Sequence, residues 1–347
     1  MTKPAIEPRR VVVAPDAFKE TASATALAGA AAVAVGALPG VVADPCPLSD
    51  GGEGFVDVLA PLGGTLCQTD VAGPLGTPVP ARWRHAGGLA VLEAAAACGL
   101  PLVGGPRGNR PLQATTRGVG QLLVAAHDAG VDQVLLGVGG TATTDGGLGA
   151  VEVLDEAGAT GWLAGHLVVA CDVTTAYLDA ADVFGPQKGA TPADLGVLRG
   201  RLHELAGWLR RRTGLDPASL VGGGAGGGLA GALGALGAEL RPGAPLVADV
   251  VDLPRRLASA VAVVTGEGRL DATSTAGKVV GTVLDEAAAR GLPVVVVAGS
   301  VDLVPPHAAI AAVVDLTVRC GAERAWRDPA RCLAEVLPDA VAAVLTG

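Results

Sequence analysis

Short apolar runs rich in β-branched residues alternate with helix-forming stretches at both ends of the chain, and this alternation limits the fold more than any other feature. The apolar runs are RVVVA (10–14), AVAVVT (260–265) and PVVVVA (293–298), and helix-forming stretches lie at 22–37 and 279–290. Continuous apolar strands of this length are typical of parallel sheets covered on both faces. The alternation therefore predicts an α/β protein with parallel sheets.

The composition excludes several classes of protein. The chain has 347 residues, which is long enough for two domains. Its net charge of −9 argues against nucleic acid as a partner. The six cysteines are scattered and include no Cys-x-x-Cys pair. This spacing disfavours a zinc site and a disulfide framework, and it favours reduced thiols in a cytoplasm.

Two stretches bear on membrane association. Residues 21–43 contain no charged side chain, but they are mostly small residues and are broken by Pro39-Gly40. The first ten residues, MTKPAIEPRR, lack the apolar core of a signal peptide. We expect a cytoplasmic protein with no membrane partner.

A turn rich in glycine and hydroxyl groups follows the strand-like start of 134–154. After VLLGVGG come Thr141, Thr143 and Asp145, and then a second double glycine that begins at Gly146. The hydroxyls and Asp145 can cap the following helix or coordinate a cation, and the helix start can bind an anion. Two interpretations stay open on this stretch alone: a site for phosphate chemistry, or an ordinary strand–turn–helix junction.

A second acidic glycine turn occurs in PLSDGGEG (47–54), after a predicted strand at Val41–Pro45. Asp50, Gly51 and Gly52 repeat the Asp-Gly-Gly of 145–147, although the echo is too short for an internal repeat. We expect the two turns to be two walls of one polar cleft. The alternative is that Asp50 is only a helix cap.

Other acids and bases follow predicted strands. In open α/β sheets, ligands bind at the carboxyl ends of the strands. Asp16 and Lys19 follow the first strand, Asp172 follows LVVAC (167–171), and Lys188 lies in a predicted tight loop. The segment after AVAVVT adds a further group: Glu267, Arg269, Asp271 and Lys278. Each of these could also be an ordinary turn or surface residue.

The glycine-dense run at 222–235 is not a credible dinucleotide fingerprint. It contains Gly-x-Gly-x-x-Gly twice, but no convincing strand precedes it. A flexible loop, or one that approaches a phosphate, is the interpretation that we favour there.

Seven motifs together resemble the bacterial glycerate kinases that lack a P-loop. They occur in the family's order over nearly the whole chain: VVVAPDAFKE (11–20), PLSDGGEG (47–54), GGTATTDGG (139–147), ACDV (170–173), VFGPQKGAT (183–191), GGGAGGGL (222–229) and VTGEGRLD (264–271). One departure is a short segment, 148–169, between the second Asp-Gly-Gly and ACDV, where the family usually has more residues.

The resemblance implies a fold and a reaction. The fold is two α/β domains: a flavodoxin- or Rossmann-like parallel sheet built from both termini (1–70 and 255–347) and an inserted α/β domain (71–254). The reaction is transfer of the γ-phosphoryl group of ATP to glycerate with Mg²⁺, with 2-phosphoglycerate expected over 3-phosphoglycerate. Two alternatives remain: a kinase of another small hydroxy acid, or a non-catalytic ligand-binding relative. The number of subunits is left open, with a homodimer as one option.

Phosphoryl transfer depends mainly on positioning and charge neutralisation, and this requirement suggests roles for the candidate residues. Lys19 and Lys188 are assigned to phosphates, and Arg269 to the carboxylate of glycerate. Asp50 or Asp172 is assigned as base or Mg²⁺ ligand, with Asp145 as a third possible ligand. The full set of further substrate- or phosphate-binding candidates is Asp16, Ser49, Gly51, Gly52, Glu53, Gly140, Thr141, Thr143, Asp145, Gly146, Glu267, Asp271 and Lys278.

Overall fold

A computed structural model describes residues 8–275 and 277–346 of the chain. The prediction that the first ten residues are not a signal peptide therefore falls almost wholly outside the described residues.

The described residues form eleven strands and fourteen α-helices. The strands are β1 (Arg9–Val13), β2 (Val41–Pro45), β3 (Thr65–Ala72), β4 (Pro78–Ala86), β5 (Leu89–Glu93), β6 (Gln133–Gly137), β7 (Leu167–Cys171), β8 (Glu239–Pro242), β9 (Ala260–Leu270), β10 (Val294–Val301) and β11 (Ile310–Asp315). The helices are α1 (Ala24–Gly36), α2 (Phe55–Val58), α3 (Ala94–Cys98), α4 (Arg117–Asp128), α5 (Leu148–Glu156), α6 (Ala180–Phe184), α7 (Pro192–Thr213), α8 (Leu229–Ala235), α9 (Gly243–Val250), α10 (Leu253–Leu257), α11 (Val279–Ala288), α12 (Leu316–Cys320), α13 (Ala322–Arg327) and α14 (Pro329–Thr346).

The first of two compact units comprises the chain up to Ser49 and from Ala244 onward. Its sheet has the order β2-β1-β9-β10-β11, and every neighbouring pair is parallel. Numbered within the sheet, this is the flavodoxin-like order 2-1-3-4-5, as predicted. The order reverses between β1 and β9, which makes the carboxyl ends of these two strands the place where such sheets bind ligands.

The apolar strands of this sheet are buried as their sequences predict. Val11, Val13, Val264 and Val297 have almost no exposed surface, and they share a core with α1 and α14. Burial of each valine side chain contributes about 1.5–3 kcal/mol of transfer free energy. The sheet is therefore a rigid base for the polar residues at its edge.

Strand β9 is longer than its sequence suggested. The predicted strand ends at 265, whereas the observed strand continues to Leu270 because Glu267 and Arg269 pair with Ala298 and Ser300 of β10. The GEGRL segment is thus part of the sheet and not a loop after it.

The second unit comprises Asp50–Gly243 and contains a mixed six-stranded sheet. The order is β3-β4-β5-β6-β7-β8, in which β5 to β8 run parallel and β3, β4 and β5 pair antiparallel. Its junctions differ from the predicted ones at 70/71 and 254/255. Residues 65–72 pair with β4, and α10 packs on β9 and α11, so each segment belongs to the neighbouring unit.

No described helix is both long enough and apolar enough to cross a membrane. Within the uncharged stretch 21–43, α1 covers 13 residues and buries Leu27, Ala31 and Val35 in the core of the first unit.

Candidate functional site

The acidic turn at 50–54 lies on the carboxyl ends of three parallel strands of the second unit. A Cβ atom at Gly51 would lie 2.7 Å from the carbonyl oxygen of Ala170 in β7, so only glycine allows this approach. The amide of Gly139, just after β6, donates to the Gly51 carbonyl at 3.0 Å. The structure therefore brings the turn at 50–52 together with Gly139, at the start of the GGTATTDGG stretch.

Asp50 is buried at the start of this turn. Only 7% of the residue is exposed, and its Oδ1 accepts a hydrogen bond from the Gly52 amide at 2.9 Å. Asp172 directly follows β7, two residues beyond the Ala170 carbonyl on which Gly51 packs. Two carboxylates thus belong to one edge of this sheet, where a ligand is expected in an α/β fold. Glu53, in the same turn, is exposed.

Glu93, the last residue of β5, reaches the same turn. Its Oε1 accepts a hydrogen bond from the Gly54 amide at 3.2 Å, and the Val56 amide donates to the same carboxylate. Burial raises the pKa of Glu93 to about 7 against these two hydrogen bonds, and the nearby charges of Glu53 and Asp57 raise it further. Only the structure reveals these partners of Glu93.

The hydrogen bonds of Asp145 are those of a helix cap. Its Oδ2 accepts hydrogen bonds from the amide and the hydroxyl of Thr116 at 2.8 and 2.9 Å and from the Gly149 amide at 3.2 Å. Its Oδ1 accepts from the Gly147 amide at 3.1 Å. Asp145 therefore joins the start of α4 to the start of α5, which is the helix-cap interpretation of this turn.

Lys188, which the sequence places in a tight loop, is buried. It ends a short 3₁₀ helix, Pro186–Lys188, and only 5% of the residue is exposed. Its Nζ donates to Thr141 Oγ1 at 3.1 Å and to the Thr143 carbonyl at 2.7 Å. Burial lowers the pKa of Lys188 to about 8, against the favourable charge of Asp145. The ammonium is directed into the GGTATTDGG loop.

Asn109, which the sequence did not single out, ties the same two segments together. Its Nδ2 donates to the carbonyls of Ala142 and Lys188 at 2.9 and 2.8 Å. Asn109 Oδ1 is buried and has no hydrogen-bond partner among the described residues. Since these partners lie 33 and 79 residues away in the chain, no local pattern could have revealed the role of Asn109.

The remaining candidates of the GGTATTDGG loop are internal. Thr141 and Thr143 are buried, and Gly140 and Gly146 adopt positive φ. Tyr177 donates its hydroxyl to the Gly146 carbonyl at 2.9 Å. These residues build the loop's conformation through its backbone.

The glycine-dense run packs against this loop and is not an exposed phosphate loop. Gly146 donates its amide to the Gly227 carbonyl at 3.1 Å. A Cβ atom at Gly227 would lie 2.0 Å from the Thr143 carbonyl. The glycines at this contact therefore serve the close approach of two backbones.

The carboxyl edge of the first unit carries the other group of candidates. Asp16 follows β1 and its amide donates to the Gly266 carbonyl of β9 at 2.8 Å, at the point where the strand order reverses. The Asp16 side chain accepts from the Ala17 amide at 2.7 Å, and Lys19 is exposed. Ser49, the last residue of the first segment of this unit, is buried.

Glu267 has an unpaired oxygen at this edge. The residue is 9% exposed, and its Oε1 is buried with no hydrogen-bond partner in the described part of the chain. Burial raises the pKa of Glu267, while a hydrogen bond from Ser274 and the charges of Lys278 and Lys19 lower it. A buried carboxylate oxygen without a partner is costly, so it marks a place where a donor from a ligand would be stabilising.

The last three candidates lie on or after the end of β9. Arg269 is exposed and donates its Nε to Asp302 Oδ2 at 2.8 Å. Asp271 accepts from the amide and hydroxyl of Thr273, each at 2.7 Å, and Lys278 Nζ donates to Thr273 Oγ1 at 2.9 Å. Asp271 and Lys278 are thus bridged by one threonine.

Across residues 8–275 and 277–346, no three His, Cys, Asp or Glu side chains converge in a way that could hold a metal ion. Asp50, Asp172 and Asp145 therefore do not form a three-carboxylate site. Mg²⁺ needs only one or two protein carboxylates when substrate phosphates and water complete its shell. The edge of the second sheet carries two carboxylates, Asp50 and Asp172.

Comparisons with known proteins agree on one family. Residues 11–161 and 159–345 match the glycerate kinase family. A glycerate kinase from Halalkalibacterium halodurans is 39% identical over 326 residues, which cover 84% of this chain and 85% of the relative. A glycerate 2-kinase from Escherichia coli is 35% identical over 325 residues, with the same coverage of 84% and 85%.

A solved structure supports the same assignment. The crystal structure of a protein assigned as glycerate kinase 2 from Salmonella typhimurium LT2 superimposes with a TM-score of 0.79 at 33% identity. The match covers 98% of this chain and 100% of that chain.

Proposed function

This chain belongs to the glycerate kinase family, and we propose that it transfers the γ-phosphoryl group of ATP to a hydroxyl of glycerate, with 2-phosphoglycerate as the product. The structural observation on which the proposal rests is the environment of Glu267. This buried carboxylate at the ligand-binding edge of a flavodoxin-like sheet has an unpaired oxygen and lysines nearby. A hydroxylated, anionic ligand satisfies both features.

The first unit supplies the proposed contacts to anionic groups. Lys19 and Lys278 carry positive charge beside Glu267 and would neutralise phosphate oxygens. Arg269, whose guanidinium is oriented by Asp302, would bind the carboxylate of glycerate. Glu267 Oε1 would accept a hydrogen bond from a ligand hydroxyl. Asp16 and Asp271, held by local backbone and threonine donors, would fix the loops around this edge.

The second unit supplies the proposed acids. Asp50 and Asp172 belong to one edge of the sheet, and the missing Cβ of Gly51 lets the Asp50 turn pack on the end of β7. This donor set suits Mg²⁺, which would neutralise phosphate charge when bound. The carboxylate of Asp50 or Asp172 that does not hold the ion would accept the proton of the attacking hydroxyl.

The hydrogen bonds of Lys188 in the structure change the role that we propose for it. Because its ammonium donates to Thr141 and to the Thr143 carbonyl, we now assign it to holding the GGTATTDGG loop and not to the phosphates. Asp145 belongs to the same supporting group, since its carboxylate caps α4 and α5.

The experiment that tests the function incubates purified protein with ATP, Mg²⁺ and each enantiomer of glycerate and identifies products by phosphorus NMR. We expect one phosphoglycerate, with the phosphoryl group on the 2-hydroxyl. Phosphorylation of tartronate or a hydroxypyruvate-related acid in place of glycerate would favour a kinase of another hydroxy acid. Binding of ATP or glycerate without turnover would favour a non-catalytic relative.

A matched pair of variants tests the site. Glu267→Gln keeps the shape of the side chain and removes its charge, and we expect it to lower kcat/KM by about 10²-fold. Glu286→Gln removes a carboxylate of α11, in the same unit, that pairs with Arg290 beyond the end of that helix, so we expect it to keep wild-type kinetics. Equal kinetics for the two variants would contradict the role of Glu267.

The cellular location and the oligomeric state of the protein are also proposals. The six cysteines are all unpaired, which suits a reducing cytoplasm. We propose a homodimer as the assembly to test first, by sedimentation equilibrium across a range of protein concentrations.

A further inference from the structure

The turn that carries Asp50 is fastened at three points, one on each of three adjacent strands. On β7, Gly51 packs against the Ala170 carbonyl. Next to β6, the Gly139 amide bonds to the Gly51 carbonyl, and the Phe55 ring covers Gly137. On β5, the carboxylate of Glu93 accepts the amides of Gly54 and Val56.

The third fastening differs from the first two in kind. The contacts at β6 and β7 are made by backbone and glycine, so no solution condition changes their charge. The contact at β5 is made by an ionisable side chain that reaches across 39 residues of sequence. Among these three contacts in the described structure, the contact of Glu93 is therefore the one that protonation can change.

The chemistry of the contact explains why a carboxylate is there. The first amides of a helix have no partner within the helix, and Gly54 at the start of α2 has no side chain to cap them. An ionised carboxylate accepts such amides more strongly than a neutral group does. The charged groups that face it, Glu53 and Asp57, are both acidic and oppose its ionisation, as does its burial. Glu93 therefore lies at a site that disfavours its ionised form.

We propose that Glu93 is a positioning residue, which as a carboxylate holds the 50–56 segment so that Asp50 is presented for phosphoryl transfer. This inference rests on the proposed function of Asp50. Protonation of Glu93 removes its charge and turns one of its two oxygens into a hydroxyl, which weakens the acceptor for the two amides, so the turn loosens as the pH falls. Activity then depends on a group that touches neither substrate.

The test compares Glu93→Gln with Asp70→Asn, a control that removes one exposed negative charge from β3 of the same unit. We measure kcat for glycerate phosphorylation from pH 5.5 to 8.5, and hydrogen exchange of the 50–58 segment by mass spectrometry. We expect Glu93→Gln to lower kcat about tenfold at pH 8 and less than about twofold at pH 5.5, because wild-type Glu93 is already neutral there. Exchange at Gly54 and Val56 should be about tenfold faster at pH 8 in this variant. The control should match wild type in both measurements.

Two outcomes overturn the inference. If Glu93→Gln matches wild type in exchange and in kcat at every pH, the inference is overturned. A loss of kcat that is equal at every pH also overturns it, because a merely structural defect would behave in that way. If Glu93→Gln does not fold, Glu93→Asp replaces it and should keep the pH dependence while lowering kcat. If the wild-type protein does not phosphorylate glycerate, the proposed function fails, while hydrogen exchange still decides whether Glu93 holds the turn.

Discussion

The two acidic glycine turns of the second unit, at 50–52 and 145–147, have the same three residues and different surroundings. Asp145 accepts four hydrogen bonds from Thr116, Gly147 and Gly149. Asp50 accepts one, from the Gly52 amide, in the part of the chain that the structure describes. Both turns use glycine at positive φ to change direction sharply.

The difference shows that an Asp-Gly-Gly tripeptide determines the conformation of the backbone but not the role of its aspartate. The carboxylate of Asp145 is taken up by the starts of two helices, because Thr116 and α4 lie beside it. The turn at Asp50 rests on strand ends through backbone contacts, which leave its carboxylate largely uncommitted. We therefore assign a catalytic role to Asp50 and a structural role to Asp145.

The largest expected effect is that of Asp50→Asn. The substitution keeps the hydrogen bond to Gly52 possible and removes the charge, so kcat/KM should fall by about 10³-fold. The melting temperature should stay close to that of wild type. Asp128→Asn, which removes an exposed acid at the end of α4, is the control and should leave both quantities unchanged.

Asp145→Asn should act on stability instead. An amide in place of the carboxylate presents hydrogens to some of the donors that Asp145 accepts, so the free energy of unfolding should fall by about 2–4 kcal/mol. Chemical denaturation measures this change. Arg117→Gln is the matched control nearby, because its exposed pairs with Glu152 and Glu156 should contribute at most about 1 kcal/mol. Equal losses in the two variants would remove the distinction between the turns.

The smallest expected effect is a change in the pH dependence of stability in Lys188→Met. The pKa of Lys188 is about 8 in the folded protein against an ordinary value of 10.5. Between these values the folded state binds fewer protons than the unfolded state, so wild-type stability gains up to about 3 kcal/mol as the pH rises through this range. Below pH 8 the buried charge keeps its full cost.

The methionine variant lacks this titration. Its free energy of unfolding relative to wild type should therefore become less favourable from pH 7 to pH 10, and denaturant titrations at both values measure the difference. A difference from wild type that is the same at both pH values would show that Lys188 is not buried as a charge. Lys188→Arg is unsuitable as a control here. A planar guanidinium cannot take the place of the single ammonium nitrogen that donates to both Thr141 and the Thr143 carbonyl.

The sequence predicted the scaffold better than the roles of its polar residues. The strands Val41–Pro45 and Leu167–Cys171 were predicted with the observed bounds, because β-branched runs are local signals. The extension of β9 was missed because Gly266 and Gly268 are typical of a loop. In the sheet, a Cβ atom at Gly266 would lie 2.1 Å from the Val297 carbonyl of β10, so glycine is needed there for close pairing.

The partners of the site residues were beyond local reasoning. Asp145 bonds to a threonine 29 residues away, and Lys188 bonds to one 47 residues away. The same holds for Glu93, which the chain order separates from its turn by 39 residues. A sequence pattern indicates which residues can do chemistry, whereas the fold decides whose hydrogen bonds are already satisfied.

The measurement that tests the central claim most directly is kcat for Asp50→Asn and Asp145→Asn, with saturating ATP, Mg²⁺ and glycerate, at a temperature where denaturation curves show both variants fully folded. Folding losses are then removed from the comparison. We expect Asp50→Asn to retain about 1% of wild-type kcat or less and Asp145→Asn to retain more than about a third. The reverse order, or equal values for the two variants, would contradict the central claim.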